Sequence, residues 1–189
     1  MPYIQNASAF LIEAIFNFAL YVMLLRFWMQ WVRADFRNDF GQFIVSATNP
    51  MIVPMRRLIP SLGVIDTATV LLAVSIAVLK FYALVLIAGG GLMSYSVLKM
   101  LGIGVAAVLD SSIYVFLGAI LVGIISSWIN PQSYHPILSI ARSISEPLLA
   151  PARKLIPSIG GIDFSPMLVI LFLRFSQILF IAPLYRLAI

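Results

Sequence analysis

Four long apolar runs dominate the chain, and short stretches carrying most of its charge separate them: Phe10–Trp28, Ala68–Ala88, Val105–Ile129 and Phe164–Leu184. Each approaches the roughly 20 residues that a helix needs to cross bilayer hydrocarbon. Between the first and second runs the spacing turns helical, with Phe40, Phe43, Ile44, Ala47 and Met51 on one face. The stretch between the third and fourth does the same with Ile137, Ile140, Ile144 and Leu148. Both linkers therefore predict amphipathic helices that lie in the membrane interface or dip into it. Gly89-Gly90-Gly91 stops the second run, and "LMSYSVLKMLGIG" makes a short connection with room for one interfacial turn. Ser165-Pro166 reads as an N-cap followed by proline at the first helical position.

The pattern occurs twice. "PMRRLIPSLGVID" (54–66) returns as "PARKLIPSIGGID" (151–163), an offset of 97 residues. At that offset Pro50 falls on Pro147, Arg56 on Arg153, Arg57 on Lys154, Asp66 on Asp163 and Trp31 on Trp128. Residues 1–92 and 93–189 are thus expected to be two repeats, each a span, an amphipathic linker and a span. Two spans return the chain to its starting side, so the repeats share one orientation about an axis along the membrane normal. The expected fold class is an all-α integral membrane protein with four transmembrane helices in two parallel-oriented tandem repeats.

Composition agrees. Of 189 residues, 62% are hydrophobic and 10% charged, against about 25% charged in soluble domains. The net charge of +5 does not point to nucleic acid, because the basic residues sit between apolar runs, where they meet lipid head groups. The linkers hold Arg33, Arg37, Arg56, Arg57, Arg142, Arg153 and Lys154, and the opposite side holds Lys99 and Arg186. The positive-inside rule then places both linkers in the cytoplasm and both termini outside. Trp28, Trp31 and Trp128 would mark the inner interface and Tyr185 the outer one. The opening "MPYIQNASAF" lacks a basic n-region, and Glu13 interrupts the first run, so that run reads as a retained helix.

With no cysteine and one histidine, His135, thiolate chemistry and multi-histidine metal centres are excluded. No cofactor is expected, and no nucleophile–base set marks an enzyme. In the repeated phrase, prolines four residues apart predict a break or re-start near Pro50 and Pro147. Arg56, Arg57, Arg153 and Lys154 follow the break. Pro60 and Gly63 then turn the chain, leaving Asp66 or Asp163 before the next span to cap helix amides or pair with an arginine. One reading is a rigid re-entrant turn anchored to anionic head groups. A sharper one makes the two Arg/Asp clusters an ion or partner site on the pseudo-twofold axis.

Ionisable residues inside a span are functional candidates with a partner to be named. Arg26, close to Trp28, is expected to snorkel to the head groups. Glu13 and Asp110 are equivalent under the repeat, while Lys80 maps to Gln177, with Arg174 one turn earlier. Glu13–Lys80 and Asp110–Arg174 are expected as structural ion pairs, with a polar path for a cation or proton as the alternative. Small residues, Ala73 and Ala77 on the second span and Gly118 and Gly123 on the third, offer places for close helix approach.

The doubled P-x(3)-P-x-R-[RK]-L-I-P-x-x-G-x-I-D phrase, with "LLRFWMQWVRADFRNDFGQFI" and "GGIDFSPM", resembles the YggT family of bacterial inner-membrane proteins, related to the YlmG proteins of cyanobacteria and plastids. The resemblance covers essentially the whole chain. It implies a stress-tolerance role, with osmotic tolerance through potassium handling among the bacterial members, and membrane or photosynthetic-complex assembly among the plastid ones. It carries no catalytic residues.

The expected function is therefore a non-enzymatic accessory or scaffold protein of the inner membrane. Its partners would be anionic lipid, other membrane proteins or a second copy of itself. An ion channel or transport component, with a pore between subunits, is the alternative. Polar residues along the spans are sparse, which favours the scaffold.

Overall fold

The computed structural model describes residues 2–61, 65–90, 96–129, 135–156 and 163–188. Among them there is no β-strand. The helices are α1 (Pro2–Trp31), α2 (Asp39–Leu58), α3 (Thr67–Ile87), α4 (Val97–Ile129), α5 (Pro136–Leu155), α6 (Ser165–Ser176) and α7 (Ala182–Ala188), with a π turn, Gln177–Ile181, between α6 and α7. Four helical stretches are long and apolar enough to cross a membrane: Tyr3–Trp31, Thr67–Ile87, Val97–Ile129 and Ser165–Leu187. The third starts earlier than expected, because Val97–Met100 already belong to α4.

Helix α4 is the centre of the bundle. It packs against α1, α3, α5 and the α6–α7 stretch, while α1 also packs along α3. Gly104 marks the tightest approach of α4 to α3: an added Cβ would lie 2.6 Å from Val78 Cγ2. The glycines expected to serve this purpose do not, since a Cβ at Gly118 or Gly123 would meet nothing within 4 Å. Ala73 and Ala77 are buried as expected. One apolar core joins α1, α3, α4 and α5 through residues such as Leu20, Met23, Ile76, Ala107 and Ile144. A second lies between α4, α5 and α6 around Ile120, Leu149 and Leu173. Tyr185, expected at the outer interface, instead packs partly buried against both cores.

The amphipathic helices α2 and α5 touch each other, so both linkers occupy the same end of the bundle. Both run unbroken through their prolines, against the expected break at Pro50 and Pro147. Each proline removes one amide donor, but Pro50, Pro54, Pro147 and Pro151 all stand on the exposed face. The missing bonds therefore fall on the outer side, where they cost least. The buried face of α2 is Gly41, Ile44, Thr48 and Ile52, while Phe43, Ala47 and Met51 point outward. Polar Thr48 and its equivalent Ser145 are tolerated inside because each hydroxyl donates to a carbonyl one turn back, Ile44 at 2.6 Å and Ala141 at 2.9 Å.

The helix ends follow local chemistry. After α3, Gly89 takes φ +74°, its amide donates to Leu86 and that of Gly90 to Val85, forming a Schellman motif. After α1 the same two bonds run from Arg33 to Gln30 and from Ala34 to Met29, with Arg33 itself at φ 54°. The cap of α6 is Phe164, and Ser165 is already the first helical residue, one position later than expected. In the π turn Ala182 donates to the Gln177 carbonyl. Pro183 follows directly and supplies no amide, which accounts for the shift in register there.

Candidate functional site

The repeated phrase folds into two copies of one clasp. The last turn of α2 brings Arg56 over the start of α3, where Nη2 donates to Asp66 Oδ2 at 2.5 Å and Nε donates to the same oxygen at 3.2 Å. In the second half Arg153 Nε donates to Asp163 Oδ2 at 3.0 Å. The surroundings differ. Asp66 is 1% exposed and also accepts from the Thr69 hydroxyl, while its Oδ1 is buried without a hydrogen-bond partner. Asp163 is 40% exposed, and its Oδ1 accepts from the Ser165 amide at 2.8 Å. Arg153 is further shared with Glu146 at 2.7 Å. Burial works to raise the Asp66 pKa, but the Arg56 and Thr69 bonds outweigh it and hold the carboxyl below its ordinary value. Asp163 is likewise held low: burial opposes, and Ser165 and Arg153 win. Arg153 is raised, chiefly by Asp163. Arg57 and Lys154, the second basic residue of each phrase, are exposed. Gly63 and Gly160, expected at the turns, lie outside the described residues.

Arg26 overturns its expected role. It does not reach the head groups: it is 6% exposed and its Nη1 donates to Thr48 Oγ1 at 2.6 Å, Asn49 Oδ1 at 2.8 Å and the Val45 carbonyl at 3.3 Å. One guanidinium from α1 thus satisfies three acceptors on α2, next to its first interior proline. The equivalent position in the second half is Gly123, so this clamp exists once.

Inside the spans the acids and bases are brought close but joined differently from the expected pairs. Among the described residues the ion pairs are Arg56–Asp66, Arg153–Glu146 and Arg153–Asp163; Glu13–Lys80 and Asp110–Arg174 are not among them. Lys80 donates to Asn17 Oδ1 at 3.0 Å, in the field of both Glu13 and Asp110. Glu13 itself is exposed on α1. Gln177 donates to Asp110 Oδ1 at 2.5 Å and accepts from Arg174 Nη1 at 2.8 Å. Arg174 also lies 5.2 Å from the centre of the Tyr114 ring, a cation–π distance. The repeat explains the arrangement, because Lys80 and Gln177 are equivalent, as are Asn17 and Tyr114. In each half the fourth position of this set crosses to the first span. The amide does so in the second half because it reaches from the π turn, leaving the arginine to the ring.

No group of three or more metal-ligating side chains occurs among the described residues. No solved structure matches the chain. Relatives do. It is 42% identical over 175 residues to an uncharacterized protein encoded in the proC 3′ region of Vibrio alginolyticus, covering 93% of this chain and 94% of that one. It is 37% identical to an uncharacterized protein of Pseudomonas aeruginosa, covering 94% and 90% of the two chains. It is 38% identical to the uncharacterized protein YggT of Escherichia coli K12, covering 89% and 86%. The CCB3/YggT family model matches twice, over residues 5–87 and 103–184, one match on each half of the bundle. The chain, an all-helical protein with four membrane-crossing helices and a duplicated sequence, belongs to the CCB3/YggT family.

Proposed function

We propose that this protein is a non-enzymatic accessory protein of the bacterial inner membrane that supports osmotic-stress tolerance or the assembly of other membrane proteins. One observation carries the reading. The polar groups inside the spans close on each other in short local contacts, Lys80 with Asn17, Arg26 with Thr48 and Asn49, and Arg174 through Gln177 to Asp110. The outward faces of α1 and α6 are left apolar, with Phe10, Ile15, Phe18, Met167, Phe172 and Phe175 all more than half exposed. Such a surface suits lipid or the helices of partner proteins. The exposed cations Arg33, Arg37, Arg57, Arg142 and Lys154 crowd the linker end, which favours a cytoplasmic placement of both linkers, contact with anionic head groups and both termini outside.

Potassium or proton passage is the second reading, favoured by the position of Lys80 between Glu13 and Asp110. The decisive measurement is ion flux into liposomes containing the purified chain. The accessory reading expects potassium and proton leakage equal to that of empty liposomes. Flux that disappears with Lys80→Gln or Asp110→Asn, in protein that still folds, would replace it with the transport reading.

A further inference from the structure

A cavity of about 300 Å³ opens between the two halves, walled by Tyr21 and Leu25 of α1, Gly118 and Val122 of α4, and Ile140 and Ile144 of α5. A second, of about 360 Å³, adjoins it through shared Val122 and Ile137 and continues past Ser126 to His135. Together they make one groove along α4 from Tyr114 to Ile129, a rise of about 22 Å at ~1.5 Å per residue. One leaflet of hydrocarbon is about 15 Å thick, half of a core of about 30 Å, so the groove is as long as an acyl chain and its glycerol region.

The space belongs to one half only. Gly118 is the repeat equivalent of Tyr21, and a Cβ at Gly118 would meet nothing within 4 Å. The duplication thus puts hydrogen where its partner position has a phenol, and a trough remains.

The groove changes character along its length in the order that a phospholipid does. Its inner part is almost wholly apolar. Further out the Ser126 hydroxyl is buried with no hydrogen-bond partner, an orphan donor where an ester carbonyl could accept. The far end is the N-terminus of α5, capped by His135, with no acid in its first turn and exposed Arg142 beside the lining residue Ala141. That end favours an anion.

We propose that this groove is a binding site for one anionic phospholipid, an acyl chain lying between Tyr21 and Gly118, the ester at Ser126 and the phosphate at the start of α5. The site goes beyond the accessory role and does not rest on it: ion flux or its absence leaves the lipid count unchanged.

Native mass spectrometry of the full-length chain, purified in detergent and loaded with dioleoyl phosphatidylglycerol or dioleoyl phosphatidylethanolamine, tests it. The wild type is expected to retain one phosphatidylglycerol. Gly118→Phe, which fills open space and replaces a helix-disfavouring residue, should keep the thermal unfolding midpoint and lower retention roughly tenfold, the effect of about 1.4 kcal/mol. Val122→Phe, at the junction of the two cavities, gives the same reading should Gly118→Phe fail to fold. His135→Gln with Arg142→Gln should leave a lipid bound but abolish the preference for phosphatidylglycerol. Undiminished retention in both filled variants would overturn the site. So would a lipid-free dimer that dissociates on Gly118→Phe, since the groove would then hold a second copy.

Discussion

Arg56 and Asp66 stand ten residues apart in sequence and meet at 2.5 Å, tying the end of an amphipathic helix to the start of a span. Their equivalents Arg153 and Asp163 repeat the bond at 3.0 Å in a far more exposed setting. The same motif therefore carries different weight in the two halves. Removing one member of a buried pair strands the other, whereas an exposed pair contributes little. Asp66→Asn is expected to destabilise by about 2 kcal/mol, short of a fully buried pair because Arg56 keeps 41% of its side chain exposed. Asp163→Asn should cost less than about 1 kcal/mol. Thermal unfolding of the detergent-solubilised variants checks the order, and equal losses would refute it.

Acid should erase that difference. Both carboxyls titrate below their ordinary value of 3.8 in the folded chain. A depressed carboxylate adds stability that is complete above the unfolded pKa and is lost as pH falls through the folded one. The gap in unfolding midpoint between wild type and Asp66→Asn should hold from about pH 7 to about pH 5 and close below about pH 4. A gap that widens on acidification would show that the carboxylate is not what the clasp uses.

Arg33 occupies the left-handed cap position after α1 with φ 54°, the place Gly89 fills after α3. A side chain there costs roughly 1 kcal/mol relative to glycine. Arg33→Gly is expected to raise stability by up to that amount. A lower unfolding midpoint would mean that the exposed guanidinium contributes more than the strain removes.

The sequence carries the four spans because their apolar length is unambiguous, and the clasps because a thirteen-residue phrase repeats with both partners in it. It does not carry the fate of Arg26. An arginine near a tryptophan at the end of an apolar run looks like an anchor, and its acceptors Thr48 and Asn49 belong to another helix. The prolines mislead for a related reason. Their cost depends on which face they occupy, and the apolar spacing of α2 alone does not reveal that Phe43 and Met51 would face outward while Thr48 went in. Gln177 was within reach. Its alignment with Lys80 already marks it as the group that crosses to the first span, but formal charge drew attention to Arg174 instead.

The amide of Gln177 is the link between Asp110 and Arg174, and this makes a prediction that direct ion pairing does not share. Gln177→Leu removes both contacts at once and should cost about 1 kcal/mol, within the range for hydrogen bonds between membrane helices. Arg174→Leu should cost less, because Asp110 keeps its amide donor while the exposed arginine gives up its bond to Gln177 and its place over Tyr114. Gln177→Lys, the residue at the equivalent place in the first half, brings an ammonium to Asp110 and should hold stability at or above the wild-type level. In double-mutant cycles the Asp110–Gln177 coupling should then exceed the Asp110–Arg174 coupling, since only groups in contact couple strongly. The reverse order would restore a direct ion pair between Asp110 and Arg174, with Gln177 a bystander in its π turn.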